Sequence, residues 1–360
     1  MTDISVPPIE PAPTAVPEPE LAPAATESPT KPRRLGLKIA GIVVGALVVI
    51  GGALGITYAV IAAQHTPEKQ LEAFLQHLVD GEAEAALDEL TGPPPGSAAL
   101  LTDEIYAGAT DRVSAFEITG SDIDGPDARV TASITQGDET YDFEFALVRV
   151  DFDFVWDVWR VAASTVPGYE VSLVRPDGVD LTANGEAAPF VDQFESLVPA
   201  LPGSYEFAAS GTTDFITVEP VTELVTFADE EPVNASLAVI LTEQGVASAT
   251  AAVNGFLDGC LSQPVMAPAG CGYSITEDGT SYSNQRWSTP GRPGYTIGDW
   301  RDDGLTTPGW FVQATGPMSL DWNADFTNGT ATGGVTGYIV RGYITSIGED
   351  GAAVFESYYQ

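Results

Sequence analysis

The chain has 360 residues, with 51 Asp plus Glu against 14 Lys plus Arg and a formal net charge of −37. That balance excludes the common electrostatic route to nucleic acid, which needs clustered Lys and Arg against phosphate, and it argues equally against docking on an anionic lipid surface. Two cysteines and two histidines leave little material for thiol or imidazole chemistry.

The first 30 residues are dominated by Pro, Ala and Glu and contain no aromatic side chain. Such a segment cannot offset its ordering entropy by burial, so residues 1–35 are predicted to form a disordered cytoplasmic tail. The segment 39–63, IAGIVVGALVVIGGALGITYAVIAA, is 25 residues long without a charge, enough to cross a bilayer core as a helix. It is preceded by Lys31, Arg33, Arg34 and Lys38, and a flanking basic cluster favours the cytoplasmic side. A single-pass anchor over 36–64 is therefore expected, with membrane lipid as its partner, the N-terminus inside and the remainder outside. A cleaved signal peptide is the alternative. The length of the apolar run and its start some 38 residues into the chain favour retention. Gly41/Gly45 and Gly51/Gly55 have small-xxx-small spacing, a pattern that Gly/Ala-rich spans also produce by chance.

Beyond the anchor, TPEKQLEAFLQHLVDGEAEAALDEL (66–90) reads as two helices. Thr66 caps, Pro67 suits the first turn, and Leu71, Phe74, Leu75 and Leu78 form one apolar stripe before Gly81 breaks it. Strand patterns follow at 113–125, at 128–151 with a hairpin turn in QGDET, and at 155–164. Residues 65–165 then form a helix-plus-antiparallel-sheet domain. From 166 to 240 the chain is turn-rich, with short strands at GYEVSLV, GVDLTANG, GSYEFAAS and DFITVEPVTELVTFA, and a small β-rich domain is expected. At 242 a helix returns, capped by Thr242, with Val246, Ala249, Val253, Phe256 and Leu257 on a broad face; strands and hairpins fill the rest of 241–360. The order helix then sheet occurs twice, which predicts a duplicated plan.

The stretches TPEKQLEAFLQHLVDGEAEAALDEL and DFDFVWDVWRVAAS resemble the small NTF2-like domains found outside actinobacterial cells, through Asp80-Gly81, Ala85-Ala86 and Trp159-Arg160-Val161. The layout of anchor, middle β domain and cysteine-containing unit is similar to the extracellular part of TcaA-like membrane proteins, and LVPALPGSYEF (197–207) is similar to a turn of their intervening domain. The tail lacks the zinc-ribbon cysteines of that family. The resemblance implies an α+β fold class: one N-terminal transmembrane helix and two NTF2-like domains separated by a small β-rich domain. It implies a role in the cell envelope and no enzymatic residues.

Catalytic signatures are missing: there is no GxSxG, HExxH, P-loop or dinucleotide fingerprint. His77 lies in an amphipathic helix and His65 in the membrane-proximal linker, and neither has a cysteine nearby in sequence. Asp151, Asp153 and Asp157 surround an aromatic strand, but carboxylates are so abundant that a solvated face is the plainer reading. DIDGPD (122–127) and DWRDDG (299–304) resemble pieces of calcium loops without the full spacing of a complete one. Six Trp residues are available for a ligand cup; Trp156, Trp159 and Arg160 are the candidate cup, against packing and a surface ion pair as the alternative.

Cys260 and Cys271 are the only cysteines. Two thiols without a local histidine are a poor zinc set, and the CxxC redox spacing is absent. Outside the cytoplasm a disulfide between them can persist. The sequence therefore predicts a non-enzymatic envelope protein, without cofactor or metal, whose extracellular domains bind a wall component or an envelope protein or serve envelope-stress regulation. An extracellular small-ligand or glycan-binding module is the second reading and an NTF2-like enzyme the third.

Overall fold

The structure is a computed structural model that describes residues 65–153, 156–189, 196–275, 282–304 and 306–359. The predicted tail 1–35 and the anchor 36–64 lie outside the described residues. The described part of the chain falls in one compact unit.

Helix α1 (Pro67–Asp80) starts where the Thr66 hydroxyl accepts a hydrogen bond from the Lys69 amide, and it stops at Gly81. Gly81 adopts φ 81°, the left-handed conformation that lets the chain fold back and cap the last carbonyls. The predicted stripe of Leu71, Phe74, Leu75 and Leu78 is completely buried. It faces a four-stranded antiparallel sheet of β1 (Val113–Asp124), β2 (Asp127–Gln136), β3 (Glu139–Asp153) and β4 (Trp156–Val161), arranged in chain order. Two short helices, α2 (Ala83–Asp88) and α3 (Asp103–Gly108), complete this region. The segment after α2 extends the sheet: the Val161 amide donates to Glu89 and the Thr91 amide to Val161.

The middle region contains two four-stranded sheets. One has the order β10-β12-β5-β8, from β10 (Ile216–Val218), β12 (Val233–Leu241), β5 (Gly168–Val174) and β8 (Ser196–Pro199). The other has β11-β9-β6-β7, from β11 (Val221–Val225), β9 (Gly203–Ser210), β6 (Asp180–Ala183) and β7 (Glu186–Ala187). Tyr169 of β5 meets Tyr205 and Phe207 of β9 edge-on at 5.6 and 5.0 Å, so aromatic rings fill the space between the sheets. β12 went unread in the sequence. It runs parallel to β5, and its burial alternates, with Ala235, Leu237 and Val239 inward.

The last region has one long helix, α4 (Glu243–Ser262), and seven strands in two sheets. These are β13-β16-β17, from β13 (Ser283–Ser288), β16 (Met318–Phe326) and β17 (Gly329–Gly337), and β14-β15-β18-β19, from β14 (Tyr295–Arg301), β15 (Gly309–Ala314), β18 (Arg341–Ile347) and β19 (Ala353–Ser357).

The expected fold class is corrected by this architecture. Among the described residues 48% lie in strands and 19% in helices; four α-helices stand against nineteen strands. No helix among them is long and apolar enough to cross a membrane. The protein is mostly β rather than α+β with two NTF2-like units. The two helix-then-sheet regions differ in topology. A single sheet in chain order follows the first helices, whereas two sheets with crossed connections follow α4. The face of α4 differs as well: Gly245, Ala249, Val253, Leu257 and Cys260 are buried, while Val246 is exposed. A Cβ at Gly245 would sit 2.1 Å from the Phe215 carbonyl oxygen, so close approach of the 213–215 loop sets which side turns inward.

Contacts cross the expected borders at 165/166 and 240/241. Thr110 and Ser204 exchange backbone hydrogen bonds at 3.1 and 2.7 Å, the Gln136 side chain donates to the Val225 carbonyl at 2.8 Å, and the Trp310 indole donates to the Val239 carbonyl at 3.0 Å.

Candidate functional site

Trp156, Trp159 and Arg160 lie on β4 with different neighbours. Trp159 is 4% exposed and belongs to the core. Half-buried Trp156 stacks on His65, rings 5.5 Å apart. Arg160 donates to the Asp88 carbonyl at 2.6 Å and pairs with Glu89 at 2.8 Å. Glu89 also accepts from Gln70. Arg160 thus ties the α2 end to β4, a structural use of a scarce cation.

The acidic stretches lie in separate places. DIDGPD forms the exposed β1–β2 hairpin tip. In DWRDDG, Asp302 accepts from the Gly304 amide at 3.2 Å, and Asp303 accepts from the Thr306 amide and hydroxyl at 2.8 and 2.9 Å. Asp157 pairs with Arg149 at 3.3 Å. No group of three or more metal-ligating side chains converges among the described residues.

Cys260 and Cys271 form a disulfide with Cα atoms 5.8 Å apart, and both are buried. It closes the loop that leaves α4. That loop is held from the other side by Trp287 of β13, whose indole donates to the Val265 carbonyl at 2.7 Å, and Tyr273 packs edge-on against Trp287 at 4.7 Å.

The basic side chains mark out a different place. Ten of the fourteen Lys and Arg residues lie beyond residue 64. Lys69, Arg129, Arg149, Arg160, Arg175 and Arg292 sit in ion pairs. Of the other four, Arg301 and Arg341 line one cavity of about 480 Å³, a size within the ligand-pocket range. Its floor is the outer face of β15 and β18. Trp310, Val312 and Ile344 point into the core, so Phe311, Arg341 and Tyr343 point out, as the period of two in a strand requires. Phe311 and Tyr343 are cross-strand partners with rings 5.5 Å apart. The Arg341 guanidinium lies over the rings of Phe311 at 5.3 Å and Tyr358 at 4.7 Å. Neither Arg341 nor Arg301 makes an ion pair or donates a side-chain hydrogen bond among the described residues, and both residues are exposed. Val174, at the end of β5, borders the cavity from the middle region.

An adjoining cavity of about 660 Å³ shares Trp300 and Asp302 with the first. Trp300 is 8% exposed and packs edge-on against Trp310 at 4.6 Å. Among the described residues its indole N–H is buried without a hydrogen-bond partner, an arrangement that costs about 1–3 kcal/mol. A third cavity, of about 700 Å³, opens between Phe143, Phe227 and the acidic run Asp229–Glu231.

Buried tyrosines elsewhere are structural. Tyr106 donates to the Leu78 carbonyl at 3.4 Å, Tyr205 to Leu201 at 2.9 Å and Tyr169 to Glu223 at 2.7 Å. They surround the LVPALPGSYEF turn. Gly203 of that turn leaves 3.2 Å between an added Cβ and Ala109, so the turn seats against the first region.

Sequence reading missed the Arg301/Arg341 cavity. The available signal was the alternation WFVQA with RGYITS, which puts Phe311, Arg341 and Tyr343 on one face only once β15 and β18 are known to pair. Comparison of the chain with protein-family models, with curated proteins and with solved structures finds no match.

Proposed function

We propose that this chain is a non-enzymatic cell-envelope protein, anchored through 39–63 with its N-terminus in the cytoplasm, that presents a disulfide-braced β body outside the membrane for binding. The observation that carries the reading is the buried Cys260–Cys271 disulfide. Such bonds persist in oxidising compartments and are rare where cytosolic thiols keep cysteines reduced. The basic cluster Lys31–Lys38 ahead of the apolar span supports the same orientation. A partner in the wall or on a neighbouring membrane protein follows from that placement.

The test is protease treatment of intact cells combined with alkylation of unreduced protein. Residues 1–35 are expected to survive, cleavage is expected beyond residue 65, and neither cysteine is expected to alkylate before reduction. Protection of the β body together with free thiols defeats the reading.

A second reading, the small-ligand or glycan-binding module, is favoured by one observation: the Arg341 guanidinium held between two rings at the edge of an open cavity.

A further inference from the structure

The chain holds few cations, and most of those beyond residue 64 are spent on ion pairs. Among the described residues Arg301 and Arg341 share one cavity without an ion pair, and in a protein of net charge −37 such a pair suits an anion supplied from outside. Arg341 is suited to the task. Stacking on Phe311 and Tyr358 immobilises a side chain that otherwise carries large rotamer entropy, and it leaves the planar fork free for two parallel hydrogen bonds to a carboxylate. The acidic residues that share the lining each turn one oxygen to their own loop: Asp302 accepts from the Gly304 amide and Asp303 from the Thr306 amide. Beside the guanidinium, the half-buried Phe311 and Tyr343 rings present apolar surface.

We propose that this cavity binds a small organic monoanion: a single carboxylate on the Arg341 and Arg301 guanidiniums, attached to a ring whose apolar face packs against Tyr343 beside Phe311. The proposal rests on the binding-module reading above, and it commits to the ligand class. The body of the ligand can be a sugar ring or an aryl ring, since both offer such a face. A polyanion is disfavoured by the surrounding charge. Long-range repulsion from the acidic body is strongest at low salt, where the Debye length is about 30 Å at 0.01 M, and is largely screened at 0.15 M, where it is about 8 Å. The contact between guanidinium and carboxylate acts over a shorter distance and is weakened less. Binding is therefore expected to tighten severalfold as salt rises across that interval, the reverse of an ordinary ion-pair interaction.

The experiment is ligand-observed NMR with the full-length protein and four probes: glucuronate, glucose, benzoate and benzyl alcohol. The acid of at least one pair is expected to bind about tenfold or more tighter than its neutral counterpart. The pair that responds identifies whether the face is sugar or aryl. Arg341→Gln is expected to lose that preference, and Arg341→Lys to restore little of it, because a lysine cannot stack or chelate in the same way. Both variants are expected to keep the wild-type circular dichroism, since Arg341 is solvent-exposed. Equal binding of acid and neutral probes, no binding by any probe, or an Arg341→Gln variant with unchanged acid preference overturns the proposal. These outcomes are read on purified protein, so they are independent of the topology result that tests the envelope placement.

Discussion

The first and last regions start alike, with a capped helix ahead of strands, and end differently. In the first, α1 buries four large side chains against one sheet whose strands run 12, 10, 15 and 6 residues in chain order. In the last, α4 is longer but buries smaller groups, Gly245, Ala249, Val253 and Leu257, and its strands split into two sheets. β17, GTATGGVTG, has no buried residue at all. Gly333 on that strand leaves only 2.7 Å between an added Cβ and the Trp322 indole nitrogen, so glycine makes room for a tryptophan from β16. The difference teaches where a covalent brace is placed. The region with the deep apolar stripe contains no cysteine, and the region with the shallow one carries the only disulfide.

Ways to break this comparison can be ordered by size. The largest effect is expected from alkali. Burial pushes the Tyr141 hydroxyl up to about 12 and raises those of Tyr106, Tyr169 and Tyr205 in the first and middle regions, and in the last region it pushes Tyr273 up to about 12. A phenol whose pKa is raised by folding contributes stability that is complete below its unfolded value of about 10. That stability is lost as pH climbs through about 12. Tyrosinate absorbance should therefore rise late and in step with loss of far-ultraviolet circular dichroism. Full ionisation near pH 10 with the dichroism intact would show these hydroxyls to be accessible.

Next comes Phe74→Ala in α1. Phe74 is fully buried between Phe145 and Phe227, at 6.4 and 6.2 Å, and truncation is expected to cost about 3–5 kcal/mol in urea unfolding. Leu257→Ala in α4 should cost less, about 2–3 kcal/mol, if the stripe of α4 is the shallower one. Equal losses remove the contrast.

Cys260→Ser, with Cys271→Ser to avoid a stray thiol, is expected to cost about 3 kcal/mol on the loop-entropy estimate. Hydrogen exchange should locate the loss in 243–275 and β13 and leave α1 and β1–β4 protected. A loss spread evenly through the protein contradicts a local brace.

Arg160→Ala is expected to have the smallest effect, about 1 kcal/mol, since its ion pair is partly exposed and its hydrogen bond to the Asp88 carbonyl is exposed to solvent. Its acid-probe binding should match wild type. A selective loss of binding with stability intact would return function to β4.

Much of the local structure was legible in the sequence. The Thr66 cap, the Leu71–Leu78 stripe and the Gly81 stop follow from short-range rules. Most strands in 113–225 follow from alternation bounded by turn residues, as with Gly137, whose φ of +56° makes the β2–β3 turn. β12 escaped because VNASLAVIL mixes small polar and apolar residues, and its identity as a strand comes from pairing with β5 and β10. The inward face of α4 escaped for a similar reason: Gly245 carries no apolar signal, and it is buried because another loop approaches it.

The candidate site was less legible than the fold. Arg160 is legible as a rare cation beside a tryptophan, but its partner Glu89 is 71 positions away. The unpaired arginines were invisible as a set, because Arg301 and Arg341 are 40 positions apart in sequence and meet only through β14-β15-β18.

By itself the sequence determined the strong charge, the apolar span at 39–63, the helix caps, most strands and the pairing of the only two cysteines, since these depend on composition or on neighbours a few residues away. The tertiary structure decided the mostly β class, the parallel joining of β5 and β12, the face of α4 and the cavity at Arg341. Each depends on which strands hydrogen-bond across long separations, and a strand's alternation states that it has two faces without stating what either face meets.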